Sequence, residues 1–528
     1  KLFGLKSPSR VRANRHQMQP MTVKPDRLGV PKVSLPSEAD SSPTASWTVL
    51  GIESGNMSSF FSPSRPDILR AVTASRALRL LQTDTSGDAT YRRSVCVESI
   101  GYFWSHSWHA SARWKILSLC LFHNFWPSFV CGGIAAALCS VALLLPWPWA
   151  LEAEAAAILV ILSGLCVSSV TLTWWPSQDS VFLDKACISQ DNPSLKRQGI
   201  LSLGFMLKRS RTMLVLWDVT YFQRLWCVVE MAARLKLQEE TPEVGNITVL
   251  PCPFGPFMLT TQAAITAFNV AYYVSVMASG AGAPETLESA LNDAARIVVV
   301  LFVVALGVGC AVSSQLSQIV KQVHQLEVFS IKDAECFCCK ANHVHPDTGG
   351  PIPCDRVLVE HAVANWFGST EAFDSFARSA LKPFVVKSLI LPYRYVVLAC
   401  MPSLWGYLGQ GACFAKAGRG LDTLRSFRLG MFGAFLFNPV GVYILIAVWH
   451  VSASRTALGM VMKAMVGAIL LGCLFFAVRA SEITLGAWGG LVNASCFCAL
   501  AALLYCRNEC SDSVRPMSRC RGSGAATK

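Results

Sequence analysis

Long apolar segments with few charged residues are the feature that most constrains how this chain can fold. A helix needs about 20 residues to cross the hydrocarbon core of a bilayer, and we predict about eight crossings on grounds of length. The segments lie at about 129–145, 155–173, 257–279, 297–312, 388–409, 431–451, 458–478 and 485–505. The segment at 388–409 is interrupted by Arg394, so whether it crosses stays open.

Composition supports a multi-pass membrane protein in a lipid bilayer. Charged residues make up only 15% of the chain, whereas soluble domains carry about 25%. The net charge of +13 is interpreted as the basic bias of cytoplasmic segments. The sequence has neither an arginine-rich helix nor an aromatic stacking platform, so we expect no nucleic-acid partner. The 21 cysteines are an odd number, and many lie in apolar segments, which indicates reduced side chains rather than a disulfide framework.

A second pattern, typical of soluble α/β structure, runs from Val181 to Leu235. A short apolar strand at 181–183 ends in Asp184, and after a polar loop the apolar residues recur at helical spacing. A second apolar strand at 212–217 is followed by a helix that carries Trp226. Strands alternating with helices predict a parallel sheet. Residues 98–104 and 246–250 are two further predicted strands.

Charge in the loops predicts how the chain is threaded through the bilayer. The turns inside the first two pairs of apolar segments carry acids and few basic residues, which favours the non-cytoplasmic side. The Lys- and Arg-rich soluble pieces are therefore expected in the cytosol. Which membrane holds the protein stays open.

These patterns divide the chain into eight parts. We predict a disordered basic Ser/Pro-rich arm (1–93), a first strand and helix (94–125), a transmembrane hairpin (126–175), the main part of the α/β domain (176–254), a second hairpin (255–318), a cytosolic Cys/His-containing segment (319–385), a bundle of three or four transmembrane helices (386–506) and a disordered tail (507–528).

The α/β pieces resemble the Toll/interleukin-1 receptor (TIR) domain over about residues 98–122 and 178–252. Ser105 and His106 end the first strand in GYFWSHSW, and Asp184 ends the second. The closest resemblance is SRTMLVLWDVTYFQRLWCVVE, which ends at Glu230. The resemblance implies an α/β flavodoxin-like parallel-sheet domain, here interrupted by membrane hairpins and joined to an α-helical transmembrane bundle. It also implies a fifth strand, for which 326–331 and the region around 354–359 are candidates.

Three functions remain open. The first is signalling by homotypic or heterotypic association of TIR-like domains. In the second, the resemblance implies an NAD⁺ glycohydrolase in which Glu230 is the catalytic carboxylate and Ser105, His106, Asp184 and Trp226 bind the substrate. The third is a channel or transporter with a regulatory TIR-like insert, which requires a polar path through the C-terminal segments.

A cluster of metal-ligand residue types lies in the cytosolic segment at 319–385. Zn²⁺ prefers four nitrogen or sulfur ligands. The candidates are Cys336, Cys338, Cys339, His343, His345 and Cys354. Their spacing is not that of a standard zinc finger, so the alternative is a set of reduced cysteines beside a histidine-containing loop.

Overall fold

The computed structural model describes residues 66–83, 87–146, 151–240, 246–279, 286–344, 349–352, 354–388, 392–451 and 456–509. These residues belong to one compact unit, Ile52–Lys528. They form a mixed sheet of six strands and a larger set of helices.

The sheet combines parallel and antiparallel pairing. Its strands are β1 (Arg70–Thr73), β2 (Val95–Cys96), β3 (Ile100–His106), β4 (Ser180–Phe182), β5 (Ser210–Trp217) and β6 (Asn246–Pro251). Their order across the sheet is β2-β1-β4-β3-β5-β6. Four neighbouring strands run parallel to one another, namely β4, β3, β5 and β6. Strand β1 is antiparallel to both of its neighbours.

The centre of the sheet joins segments that are far apart in sequence. β3 pairs with β5 from Ile100 opposite Ser210 to His106 opposite Leu216. On its other side β3 pairs with β4, where the rings of Phe103 and Phe182 stack with centroids 4.5 Å apart. The strands predicted near 98–104, 181–183 and 212–217 therefore lie in one sheet, although a long helical hairpin separates the first from the second.

The N-terminal edge of the sheet corrects the predicted boundary of the disordered arm. Residues 70–82, which composition assigned to that arm, form β1 and a helix, and the arm's residues 1–65 lie outside the described ranges. Leu78 and Leu81 of this helix are buried, whereas Arg76 and Arg79 are exposed. This helix is basic but amphipathic, and its apolar face packs against the sheet. Composition alone does not reveal that face.

A fifth parallel strand is not contributed by either predicted segment. A long helix continues to Glu327, a 3-10 turn covers Ile331–Asp333, and another helix begins at Asp355. Within the described ranges these segments reach the α/β domain through an isolated parallel bridge between Arg224 and Glu335, outside the strands of the sheet. The described residues of the 319–385 segment therefore pack beside the sheet as helices and turns and add no strand to it.

The helices surround the sheet and continue into the bundle. They are α1 (Ala74–Gln82), α2 (Asp88–Tyr91), α3 (Ala112–Ala142), α4 (Ala153–Trp174), α5 (Asp184–Cys187), α6 (Pro193–Leu201), α7 (Leu203–Lys208), α8 (Leu225–Glu240), α9 (Phe254–Ser279), α10 (Leu287–Glu327), α11 (Phe337–Lys340), α12 (Asp355–Phe367), α13 (Thr370–Phe376), α14 (Lys382–Ser388), α15 (Tyr393–Lys416), α16 (Gly420–Phe432), α17 (Asn438–Val451), α18 (Ala457–Leu485) and α19 (Ala487–Glu509). Two π-helical turns, Ala377–Leu381 and Gly433–Phe437, join α13 to α14 and α16 to α17.

Five helical stretches in the described ranges are long and apolar enough to cross a membrane. They are Ala112–Ala142, Ala153–Trp174, Leu287–Leu306, Gly420–Val448 and Leu458–Leu485. This is fewer than the eight crossings predicted. Helix α9, at a predicted crossing, carries the polar residues Gln262 and Asn269 on its buried side, which lowers its apolarity. The apolar part of α19 is shorter, at Trp488–Leu500.

Small residues let the helices of the bundle approach one another closely. The indole of Trp405 in α15 is fully buried against Gly132 of α3 and Gly164 of α4. A Cβ at Gly164 would lie 2.7 Å from that indole. Close packing of this kind holds helices together in lipid, where burial of apolar surface gives no driving force between them.

Candidate functional site

Ser105 and Glu230 are in direct contact at the carboxyl edge of the sheet. The Ser105 hydroxyl at the end of β3 donates to Oε2 of Glu230 in α8 at 2.5 Å. It also lies 2.7 Å from the hydroxyl of Tyr221, which donates to the carbonyl of Cys227 at 3.3 Å. The contact ties the central strand to the helix that covers it.

Glu230 is half-buried. Desolvation of its carboxyl raises the pKa to about 8, against the hydrogen bond from Ser105, and the charge of Asp184 adds to the rise. The carboxyl therefore takes up a proton at a higher pH than an exposed glutamate does. Ser105 donates to the ionised carboxylate, whereas a protonated carboxyl donates to Ser105, which frees the Ser105 hydrogen for Tyr221 and the Tyr221 hydrogen for Cys227. In this state every hydroxyl in the chain of contacts has an acceptor.

His106 and Asp184 lie at the same edge. His106 is buried, its Nδ1 is 3.5 Å from the carbonyl of Trp104, and its Nε2 makes no hydrogen bond with the described residues. Burial lowers the pKa of His106 to about 4 despite the opposing charge of Asp184, so the ring is neutral. Asp184 accepts from the indole nitrogen of Trp108 at 2.8 Å and from the backbone of Lys185 at 2.6 Å.

Trp226 is directed to a different cluster. Its indole nitrogen donates to Oδ2 of Asp355 at 3.2 Å, beside the cysteines that follow α10. The structure thus brings Ser105, His106, Asp184 and Glu230 to one edge, while the polar end of Trp226 faces Asp355.

A buried polar network at this edge was missed by the sequence analysis. The Lys115 ammonium, 1% exposed, donates to the carbonyl of Ser107 at 3.0 Å. Thr220 joins the Ser107 hydroxyl at 2.7 Å to Asp218 at 2.8 Å. Burial raises the pKa of Asp218, which the hydrogen bonds from Thr220 oppose. The available signal was Asp218 directly after β5, comparable to Asp184, the second residue after β4.

Four of the predicted metal-ligand residues come together after α10. The sulfurs of Cys338, Cys339 and Cys354 and a ring nitrogen of His343 all lie within 4.8 Å of one another. Cys336 is close by, with its sulfur 3.1 Å from that of Cys338. The sixth candidate, His345, lies outside the described residues.

The bundle contains a cavity that the sequence analysis did not foresee. Its volume is about 620 Å³, and Asn269, Asp293, Ser403, Asn438 and Arg479 are among its lining residues. Asp293 and Arg479 are each 5% exposed. Ser403 accepts from Asn269 at 3.1 Å and from Asn438 at 2.6 Å. Single polar residues inside apolar helices were the only signal for it in the sequence.

No protein-family model, curated protein or solved structure matches this chain.

Proposed function

We propose that this chain is a multi-pass membrane protein whose α/β domain is TIR-like and acts in signalling by association with a second copy of that domain. The strand order supports the fold. Numbered along the chain from β3, the four parallel strands lie in the order second, first, third, fourth, which agrees with the flavodoxin-like arrangement. The Lys- and Arg-rich soluble segments favour a cytosolic position for the domain.

The protonation and contacts of Glu230 are the reason for proposing association rather than catalysis. Stabilising positive charge on a ribosyl group requires an ionised carboxylate. Burial instead raises the pKa of Glu230 to about 8, and Ser105 occupies its Oε2 at 2.5 Å. The arrangement therefore fits a structural link between strand and helix better than it fits the catalytic carboxylate of the hydrolase alternative.

Association requires an exposed and well-positioned surface, and residues 191–197 supply one. We call them the β4–α6 surface. Asp191, Lys196 and Arg197 are exposed there. The segment is fixed at its base, because the Asn192 side chain accepts from the backbone of Leu195 at 3.1 Å and Asp191 accepts from the backbone of Asp88 at 2.6 Å. A rigid charged surface suits recognition of a partner by charge complementarity.

Co-capture of two tagged copies of the full chain tests this proposal. The copies are expressed together, extracted in detergent, and one tag is captured while the other is quantified. We expect co-capture of the wild type, a several-fold loss with Lys196→Glu plus Arg197→Glu, and no loss with Lys208→Glu, an exposed lysine on α7. Wild-type copies that never co-purify would contradict association, and equal capture of all variants would remove the β4–α6 surface from it.

The bundle cavity favours a second candidate function, a channel or transporter with a regulatory TIR-like insert. The test is labelling of Ser403→Cys in sealed vesicles by a water-soluble maleimide, read from the labelled peptide. Val299→Cys is the matched control, because Val299 is 63% exposed on the outside of a candidate span. Labelling of position 403 above that of position 299 supports a water-filled cavity, and equal labelling contradicts it.

A further inference from the structure

We infer that Cys338, Cys339, His343 and Cys354 form a structural zinc site. Three thiolates and one imidazole are a standard ligand set for structural Zn²⁺. The Cys339 and Cys354 sulfurs are 3.8 Å apart, and those of Cys338 and Cys339 are 4.0 Å apart. A tetrahedron with Zn–S bonds of about 2.3 Å has edges of about 3.8 Å, so one ion can reach these sulfurs together.

The backbone around His343 is held in a conformation that serves the cluster. Asn342 and His343 have positive φ values of 50° and 59°, which residues other than glycine adopt infrequently. The His343 amide donates to the carbonyl of Cys338 at 2.7 Å, and the amide of Ile352 donates to the carbonyl of His343 at 2.8 Å. Such conformations persist where the surrounding contacts require them. Here the two positive φ values reverse the chain direction, so that the His343 imidazole lies beside the cysteine sulfurs.

Neighbouring groups complete the site. The amide of Asp355 lies 3.3 Å from the sulfur of Cys338, which suits an N–H donor to a metal-bound thiolate. Cys338 is fully buried and His343 is exposed, so one side of the cluster is closed and the other admits an ion. The Cys336 sulfur lies against Cys338 and, at 4.0 Å, against Asp355, outside the set of four.

The site has a structural consequence that does not depend on the proposed association. The segment that carries it is attached to the start of α8, where the amide of Leu225 donates to the carbonyl of Glu335 at 3.1 Å. Asp355, next to the ligand Cys354, accepts from Trp226. Zinc would therefore fix the segment after α10 against the helix that carries Glu230.

The metal content of the full chain, purified in detergent without chelators, tests the inference. We expect close to one zinc per wild-type chain, loss of most of it in Cys339→Ser, Cys354→Ser and His343→Ala, and retention in His343→Cys. Cys96→Ser, at an exposed cysteine that lies in β2, is the matched control and should keep its zinc. A wild type without zinc, iron in place of zinc, or variants that keep their zinc would overturn the site.

A second measurement avoids variants that fail to fold. In the wild type, a chelator should release the zinc and increase alkylation of Cys339 and Cys354, while alkylation of Cys96 stays constant. Added Co²⁺ should then give the visible absorption of a tetrahedral thiolate complex. Recovery of these ligand cysteines as disulfides, or alkylation unchanged by the chelator, would overturn the inference.

Discussion

The edge of the sheet and the interior of the bundle surround their buried polar groups differently. At the edge they contact one another directly, as in the 2.5 Å contact of Ser105 with Glu230 and the 3.0 Å contact of Lys115 with Ser107. In the bundle, Asn269 and Asn438 also donate to Ser403, but these residues line a cavity of about 620 Å³. Buried polar groups that satisfy one another stabilise a fold, and polar groups that also line a cavity can contact a ligand. This difference is why the proposals above assign partner binding to the surface of the α/β domain and the channel or transporter alternative to the bundle.

The largest expected effect is a loss of stability of the helical bundle. Gly164→Leu forces a side chain into the indole of Trp405, and overpacking of this kind costs about 1–3 kcal/mol or more. We expect a lower yield of monodisperse protein and a lower melting temperature in detergent, with the α/β domain affected only indirectly.

A matched control and a compensating change sharpen this prediction. A Cβ at Gly133 meets no atom within 4 Å, so Gly133→Leu should be tolerated. Adding Trp405→Ala to Gly164→Leu removes the clash and should recover part of the stability. An equal loss of stability in both glycine variants would show that the close packing of Gly164 against Trp405 does not hold the helices together.

The second-largest expected effect is a loss of stability of the α/β domain, with no change to the residues that line the bundle cavity. Arg234 of α8 is fully buried and donates to the carbonyls of Leu207 at 2.6 Å and Ser210 at 3.0 Å. Arg234→Met removes these hydrogen bonds from a charged donor, and we expect a loss of roughly 3 kcal/mol in the free energy of unfolding. Lys236→Met on the same helix removes a surface ion pair and should cost less than about 1 kcal/mol. Chemical denaturation of both variants checks the difference, and similar losses would contradict it.

A smaller effect tests whether Glu230 is protonated in the fold. Its pKa rises from 4.5 to about 8 on folding, so the folded state binds more protons between these values. Stability of the wild type should therefore fall as pH rises from about 4.5 to 8 and level off above that. Glu230→Gln keeps a neutral side chain and should lose this dependence. Melting temperatures across pH 5–9 check the prediction, and parallel curves for the two proteins would contradict it.

The sequence was most informative where pattern and burial coincide. The strand ending in Ser105 and the helix carrying Glu230 were both predicted, because apolar periodicity identifies buried faces and parallel strands meet at one edge. The cysteine cluster was also predicted from residue types alone. The four parallel strands and part of the edge could thus be predicted before the structure.

Other parts depend on tertiary contacts that no local pattern encodes. β1 has four residues and sits beside arginines, so composition alone assigns it to the arm. Trp226 is on the same helix as Glu230, yet its indole donates to Asp355, which is far away in the sequence. Asp293 and Arg479 are isolated in sequence, and only packing of α10 and α18 places both at one cavity. The fifth strand predicted at 326–331 shows the reverse case, because α10 continues to Glu327 and Ile331–Asp333 form a 3-10 turn.

Release of nicotinamide from NAD⁺ by the purified full chain is the most direct measurement of whether this edge is closed to catalysis. The hydrogen bond from Ser105 to Glu230 and the raised pKa of that carboxyl predict no release above the buffer level, from the wild type or from Glu230→Gln. Release by the wild type that disappears in Glu230→Gln but persists in Glu239→Gln, an exposed acid on the same helix, would contradict the account and establish the hydrolase.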